Sequence, residues 1–224
     1  MFITGTDTGV GKTVLTALLT QFLRERGVRV AALKPVCSGG RDDARRLRAA
    51  LGGTLALDEI NPWHFRAPVA PLLAARREKK SVKRAAVLTH LRAMQKRFDV
   101  VLVEGAGGLL SPLGEDFDSR DLLAALRATP VIVAPNKLGV VNHLLLTLEA
   151  LPVALRGSAK VVLMTPRRPD AATATNAKLL ARWARRTAIF RLPWFGQKCS
   201  ASGILPEPAA RRTLAALWRQ EFSR

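Results

Sequence analysis

Residues 5–13 read Gly-Thr-Asp-Thr-Gly-Val-Gly-Lys-Thr, a glycine-rich stretch that ends in a Lys-Thr pair. A backbone that turns on Gly9 and Gly11 can aim its N–H groups at a phosphate. Lys12 then brings positive charge to the β- and γ-phosphates, and Thr13 offers a hydroxyl to Mg²⁺. The expected nucleotide contacts are Asp7, Thr8, Gly9, Val10, Gly11, Lys12, Thr13 and Val14. Thr8 also offers a hydroxyl to a transferring phosphate or to a substrate. The match to G-x-x-x-x-G-K-[ST] is imperfect. Thr6 stands where the first glycine belongs, and Gly5 comes one residue early.

Glu104 follows four apolar residues, Val-Val-Leu-Val, and precedes Gly-Ala-Gly-Gly at 105–108. That pattern puts a carboxylate at the end of a buried strand. Left unpaired it is costly, so a metal or cationic partner is expected. Mg²⁺ takes oxygen ligands with one or two carboxylates. Thr13, Glu104 and one of Asp42 or Asp43 meet that need. The glycines, Gly105 and Gly107 among them, suit backbone amides near the γ-phosphate; read alone, the run is also a flexible turn. His64, His90 and His143 are not at metal-ligand spacing. His90 is expected on a helix surface and His143 in a structural role. Cys37 reads as packing rather than chemistry.

Elements that alternate along the chain must hold these groups. Short apolar runs at 2–5, 28–35, 99–105, 129–135, 160–166 and 188–195 read as strands. Helical spacing marks 14–27, 41–51, 81–98, 119–128, 140–151, 171–186 and 206–222. Gly27 is a plausible helix stop. Residues 61–65 are left in a loop. Parallel strands need such helical crossovers, and burial of both sheet faces explains the continuous apolar runs. The expected fold is α/β, a mostly parallel sheet with helices on both faces, forming one domain over residues 1–224. Ligands should gather at the carboxyl ends of the strands.

The chain has 224 residues, 48% of them hydrophobic, which is the balance of a globular protein. No apolar run approaches the roughly 20 residues of a membrane span. No leader-like segment precedes the loop, and the two cysteines, Cys37 and Cys199, are expected as reduced thiols in the cytoplasm. The 36 Lys and Arg against 17 Asp and Glu give a net charge of +19. That charge raises the prospect of nucleic acid. Arginines spread through helical segments, without a recognisable binding module, read instead as solvated faces. The densest basic run, 76–84, is expected as an exposed turn or helix entry.

Several blocks together resemble the dethiobiotin synthetase family of P-loop nucleoside triphosphatases. Thr4–Thr13 is similar to its opening loop, and Lys-Pro-Val-Cys-Ser-Gly-Gly (34–40) to its K-P-V-x-S-G segment. Residues 61–71 resemble its N-P-[WY]-x-F-x-x-P-x-x-P stretch, and 101–113 its V-E-G-A-G-G block. Residues 136–147 resemble its K-L-G-x-[IV]-N-H-x-x-L-T block, and 192–195 a late I-P-W turn. The blocks run in the family's order from Phe2 to about Trp194.

The resemblance implies ATP-dependent closure of a ureido ring on 7,8-diaminononanoate with CO₂, through a carbamate and its mixed anhydride with phosphate. It turns Lys34, on its own a surface lysine at a strand exit, into a group bridging carbamate and γ-phosphate beside Lys12. Ser38 is then expected to hydrogen-bond the carbamate or diamine. The family's Asp-Ala dipeptide favours Asp43 over Asp42 for the metal. Family members are homodimers in which the segment matching Leu138, Gly139, Val140, Val141 and Asn142 closes the partner's substrate site. Amides at a helix start suit the substrate carboxylate there. The family's base-reading Asn-Asp pair falls on Met164-Thr165, so weak base selectivity is expected, with Asn176 or the backbone near Pro193 as alternative readers. Two rivals on the same fold stay in view. A partition-type ATPase carries a signature lysine where this chain has Asp7, and a cobyrinate-type amide synthase carries a glutaminase domain for which this chain is too short.

Overall fold

The computed structural model describes residues 1–194 and 208–222. Expectations for Phe195, for Cys199 and for the start of the last helix at 206–207 lie outside the described residues. The strands are β1 (Phe2–Gly5), β2 (Val30–Leu33), β3 (Val36–Ser38), β4 (Trp63–Phe65), β5 (Val100–Glu104), β6 (Pro130–Pro135), β7 (Lys160–Met164) and β8 (Ala188–Leu192). Before β5 come helices α1 (Lys12–Arg24), α2 (Asp42–Ala50), α3 (Leu57–Ile60), α4 (Pro71–Arg77) and α5 (Arg84–Arg97). After it come α6 (Ser119–Leu126), α7 (Val140–Ala150), α8 (Val153–Arg156), α9 (Ala171–Trp183) and α10 (Pro208–Phe222).

Six strands form one parallel sheet in the order β2-β5-β1-β6-β7-β8. Helices flank it: α1 packs on α2 and α10, while α5 meets α6 and α7 meets α9. Strands buried on both faces need apolar side chains throughout. Phe2, Ile3, Leu102, Val131, Ile132, Val133 and Val162 accordingly lie in the core. The chain leaves β1 toward β2 on one side and later places β6 on the other. The carboxyl ends of β1, β2 and β5 therefore border one crevice, where open α/β sheets bind ligands. No helix among the described residues is long and apolar enough to cross a membrane.

Two local expectations are corrected and one holds. Residues 61–65 are not a plain loop, because β4 pairs in parallel with β3 as a separate two-stranded sheet. The run 76–84 is as expected: it leaves α4, turns at Lys79 with φ 54°, is mostly exposed and ends at the entry of α5. His90 is half-buried rather than on a free helix surface. Its Nε2 lies 2.8 Å from the Glu59 carbonyl and its ring meets Trp63 edge-on at 6.0 Å.

Candidate active site

Gly9 and Gly11 adopt φ of 73° and 101°, the left-handed region that glycine tolerates. This turn lets α1 begin at Lys12 directly after β1, with its N-terminal amides facing the crevice. Asp7, Thr8 and Gly9 are exposed at the tip, whereas Val10 is buried and Val14 packs against the core. Lys12 is 6% exposed, and its ammonium donates to the Asp7 carbonyl at 2.6 Å, bridging its own loop. Burial, then repulsion from Lys34, lower its pKa to about 8.

Lys34, Asp43 and Glu104 come from three different segments and meet at one point. Lys34 Nζ lies 2.6 Å from Glu104 Oε1 and 3.0 Å from Asp43 Oδ2. Thr13 Oγ1 donates to the same Glu104 oxygen at 2.7 Å. Lys34 is 4% exposed and Glu104 is fully buried. Burial alone would discharge the lysine, but attraction from Glu104 and Asp43 outweighs it and raises the pKa. Lys34 is thus held in its charged form. Burial likewise pushes Asp43 toward the neutral form, and the Lys34 ammonium reverses this, leaving the carboxyl below its usual range. Asp42 points elsewhere, pairing with Arg45 at 2.6 Å on the surface.

A cleft of about 540 Å³ opens beside this cluster, lined by Thr8, Lys34, Ser38, Asp43 and Gly107, among others. A Cβ on Gly107 would stand 3.8 Å from Thr8 Oγ1, so the loops after β1 and β5 face each other there. Ser38 lines the cleft, but its hydroxyl donates to the Val69 carbonyl at 2.5 Å, which leaves its oxygen as an acceptor. The glycine run needs one correction. The Gly105 amide is held by the Ile3 carbonyl at 2.9 Å and the Gly108 amide by Ser111 Oγ, so neither is available to a phosphate. The amides of Ala106 and Gly107 carry no such bond among the described residues.

Leu138–Asn142 do not line this cleft. They form the entry to α7, where Gly139 turns at φ 88°, Leu138 is 82% exposed, Val140 is buried, Val141 is half-buried and Asn142 is exposed. Asn176 is unsuited to reading a base, because its buried amide donates to Asn136 Oδ1 at 2.9 Å and to the Lys137 carbonyl at 3.1 Å. Pro193 borders a separate cleft of about 380 Å³ with Asn136, Thr165 and Thr173. Residue patterns alone missed Asn61. It is fully buried and its amide reaches the Lys34 carbonyl at 2.6 Å. A polar residue opening an apolar, Pro-flanked stretch was the available signal.

A strand, a glycine loop closing on Gly-Lys-Thr, a helix pointing into the crevice and a buried Glu on the neighbouring strand define a P-loop nucleoside triphosphatase. Solved structures agree on the fold. The ParA family ATPase from Chlorobium tepidum TLS superposes with a TM-score of 0.62 at 14% identity, covering 99% of this chain and 98% of that one. The structure of pNOB8 ParA bound to nonspecific DNA gives 0.63 at 13%, covering 100% and 99%. A family model described as an AAA domain matches residues 1–197. Among curated proteins, the ATP-dependent dethiobiotin synthetase of Anaeromyxobacter dehalogenans (strain 2CP-C) is 43% identical over 199 residues, 87% of this chain and 89% of its own. That of Bacillus licheniformis is 36% identical over 188 residues, covering 81% and 80%. The chain belongs to the ATP-dependent dethiobiotin synthetase family.

Proposed function

We propose that the protein closes the ureido ring of dethiobiotin from 7,8-diaminononanoate, CO₂ and ATP. The observation that carries this reading is the cluster of Lys34, Asp43, Glu104 and Thr13, with Lys12 nearby, beside the cleft that Lys34 and Asp43 line. The difficult step brings an anionic carbamate onto an anionic triphosphate. Charge placed in advance lowers that barrier, since the dipoles need not reorganise during reaction. Thr8 to Val14 wrap the phosphates, with Lys12 exchanging its Asp7 carbonyl for phosphate oxygen. Ala106 and Gly107 supply amides from the opposite loop. Glu104, Gly105 and Pro193 border the nucleotide without contributing those donors.

Lys34 faces the diamine. Its fixed positive charge disfavours a second ammonium beside it, so it favours the neutral amine that attacks CO₂. The same charge stabilises the carbamate and guides it to the γ-phosphate. Carbamate oxygen attacks phosphorus, ADP leaves, and the second amine displaces phosphate from the mixed anhydride. Ser38 accepts a hydrogen bond from the amine side of the substrate. Mg²⁺ suits the residues present: Glu104 Oε2 is buried with no hydrogen-bond partner among the described residues, Thr13 bonds the carboxylate's other oxygen, and Asp43 shares Lys34 with it. Two carboxylates are enough when phosphates supply further oxygens. Bound there, Mg²⁺ would neutralise charge on the β- and γ-phosphates.

A homodimer completes this reading. Leu138, Leu146 and Leu110 are exposed, and a groove of about 460 Å³ runs between Leu146 and the loop at Leu109–Pro112, beside Gly5–Asp7. A second copy covering that face would bring Leu138–Asn142 to the diamine's aliphatic stem and carboxylate. We read the chain as one domain acting in the cytoplasm, where ATP is at hand and the buried Cys37 thiol stays reduced. Incubating the protein with 7,8-diaminononanoate, bicarbonate, Mg²⁺ and ATP should yield dethiobiotin by mass. ATP turnover without that product would end the proposal.

A further inference from the structure

We infer that Asn61 is a positioning residue for ring closure, acting through Lys34; the inference rests on the activity proposed above. Lys34 lies one residue past the end of β2, so the sheet does not hold its backbone. Residues 60 and 61 hold it instead. The Lys34 amide donates to the Ile60 carbonyl at 2.9 Å, and Asn61 Nδ2 donates to the Lys34 carbonyl at 2.6 Å. Pro35 follows and offers no N–H of its own. Its carbonyl accepts from the Trp63 amide at 3.1 Å.

The other end of the Asn61 side chain meets Arg41, two residues before Asp43. Asn61 Oδ1 accepts from Arg41 Nε at 3.2 Å and from Cys37 Sγ at 3.1 Å. Arg41 also donates to the Leu57 and Asn61 carbonyls and pairs with Asp58 at 2.7 Å. It is the residue that opens α2, directly before Asp42 and Asp43. One buried amide therefore ties the segment carrying Lys34 to the helix start carrying Asp43. The position calls for a donor toward a carbonyl and an acceptor toward a guanidinium. A side-chain amide offers both, whereas a carboxylate would turn acceptor against acceptor at the Lys34 carbonyl.

Lys34 Nζ sits within hydrogen-bond reach of both Asp43 and Glu104, and small displacements there are costly. A misplacement of about 1 Å can lower a rate by roughly 100-fold. The test is a double-mutant cycle. Asn61→Ala and Asn61→Asp should each lower kcat by roughly 100-fold and leave the Kd of a non-hydrolysable ATP analogue within about threefold. In a Lys34→Ala background, Asn61→Ala should lower kcat by less than about threefold more, because both changes remove one function. Independent, multiplying effects would overturn the inference, as would an unchanged kcat in Asn61→Ala. Asn61→Asp keeps the acceptor for Arg41 and serves if the alanine variant does not fold.

A second readout does not depend on turnover. The ¹⁵N resonance of the buried Lys34 ammonium, assigned by its loss in Lys34→Ala, should shift in either Asn61 variant and not in Ser38→Ala. An unmoved resonance also overturns the inference. Wild-type protein that makes no dethiobiotin would instead remove the proposed activity and leave the resonance to decide the positioning.

Discussion

At the residue scale, the site gathers charge that is stable only in company. Lys34 stays cationic because Glu104 and Asp43 face it, and Glu104 tolerates full burial because Lys34 and Thr13 do. Lys34→Ala should therefore lower ring-closure kcat by about 10²–10³-fold, the usual effect of removing one preorganised electrostatic contact. Analogue binding should survive, since Lys12 and the loop amides remain. A near-normal kcat in that variant would take Lys34 out of the mechanism. Lys12 is depressed to about 8 by burial and by Lys34, so it loses its charge as pH rises past that value. Phosphate needs the charged form. The Kd of an ATP analogue should rise roughly tenfold between pH 7 and pH 9, following the fraction of neutral amine. A flat profile, read by fluorescence titration, would show that Lys12 is charged throughout. Most of this cluster was legible in the sequence, because Gly11-Lys12-Thr13 and Glu104-Gly105 each lie in one short pattern. Asn61 was not, because its meaning depends on Lys34, 27 positions away.

At the element scale, the main sheet was readable because strands buried on both faces are written as unbroken apolar runs. β3 and β4 were not. Each has three residues, too few to show alternation, and prolines and glycines flank them. The Gly105–Gly108 run misled for a related reason. Glycines look alike in sequence, yet Gly105 still belongs to the sheet ladder through Ile3. The end of β7 carries a prediction about nucleotide choice. Met164 packs its thioether against Gly11, so that a Cβ there would meet it at 2.9 Å. Thr165 donates its amide to Leu192, Pro166 has no N–H, and the Asn176 amide is occupied. With few paired donors and acceptors left there, wrong bases meet little penalty. ATP, CTP, GTP and UTP should support ring closure with kcat/KM within about tenfold, near 1.4 kcal/mol. A preference for ATP beyond about a thousandfold would reveal a base reader elsewhere.

At the scale of the whole molecule, two copies should share each site. Mixing Lys12→Ala with Asn142→Ala should restore part of the activity lost by each, since a hybrid dimer holds one intact composite site. Hybrids that form, seen by mass, and stay inactive would place the site within one chain. The net charge of +19 is spread over exposed faces, where several arginines pair with single carboxylates, as in Arg29–Asp99 and Arg97–Glu59. DNA at moderate salt should leave ATP turnover unchanged, and stimulation would favour the partition-type reading. The strand order has a consequence for how the chain is born. β1 leaves the ribosome well before its sheet neighbours, β5 and β6. Ile3 waits for Glu104 on one side and Val131 on the other. At about 5–20 residues per second, that delay lasts several seconds or more, during which Phe2 and Ile3 have no sheet to join. Nascent chains released before β6 should therefore be caught by chaperones and unable to retain ATP, however complete their phosphate loop.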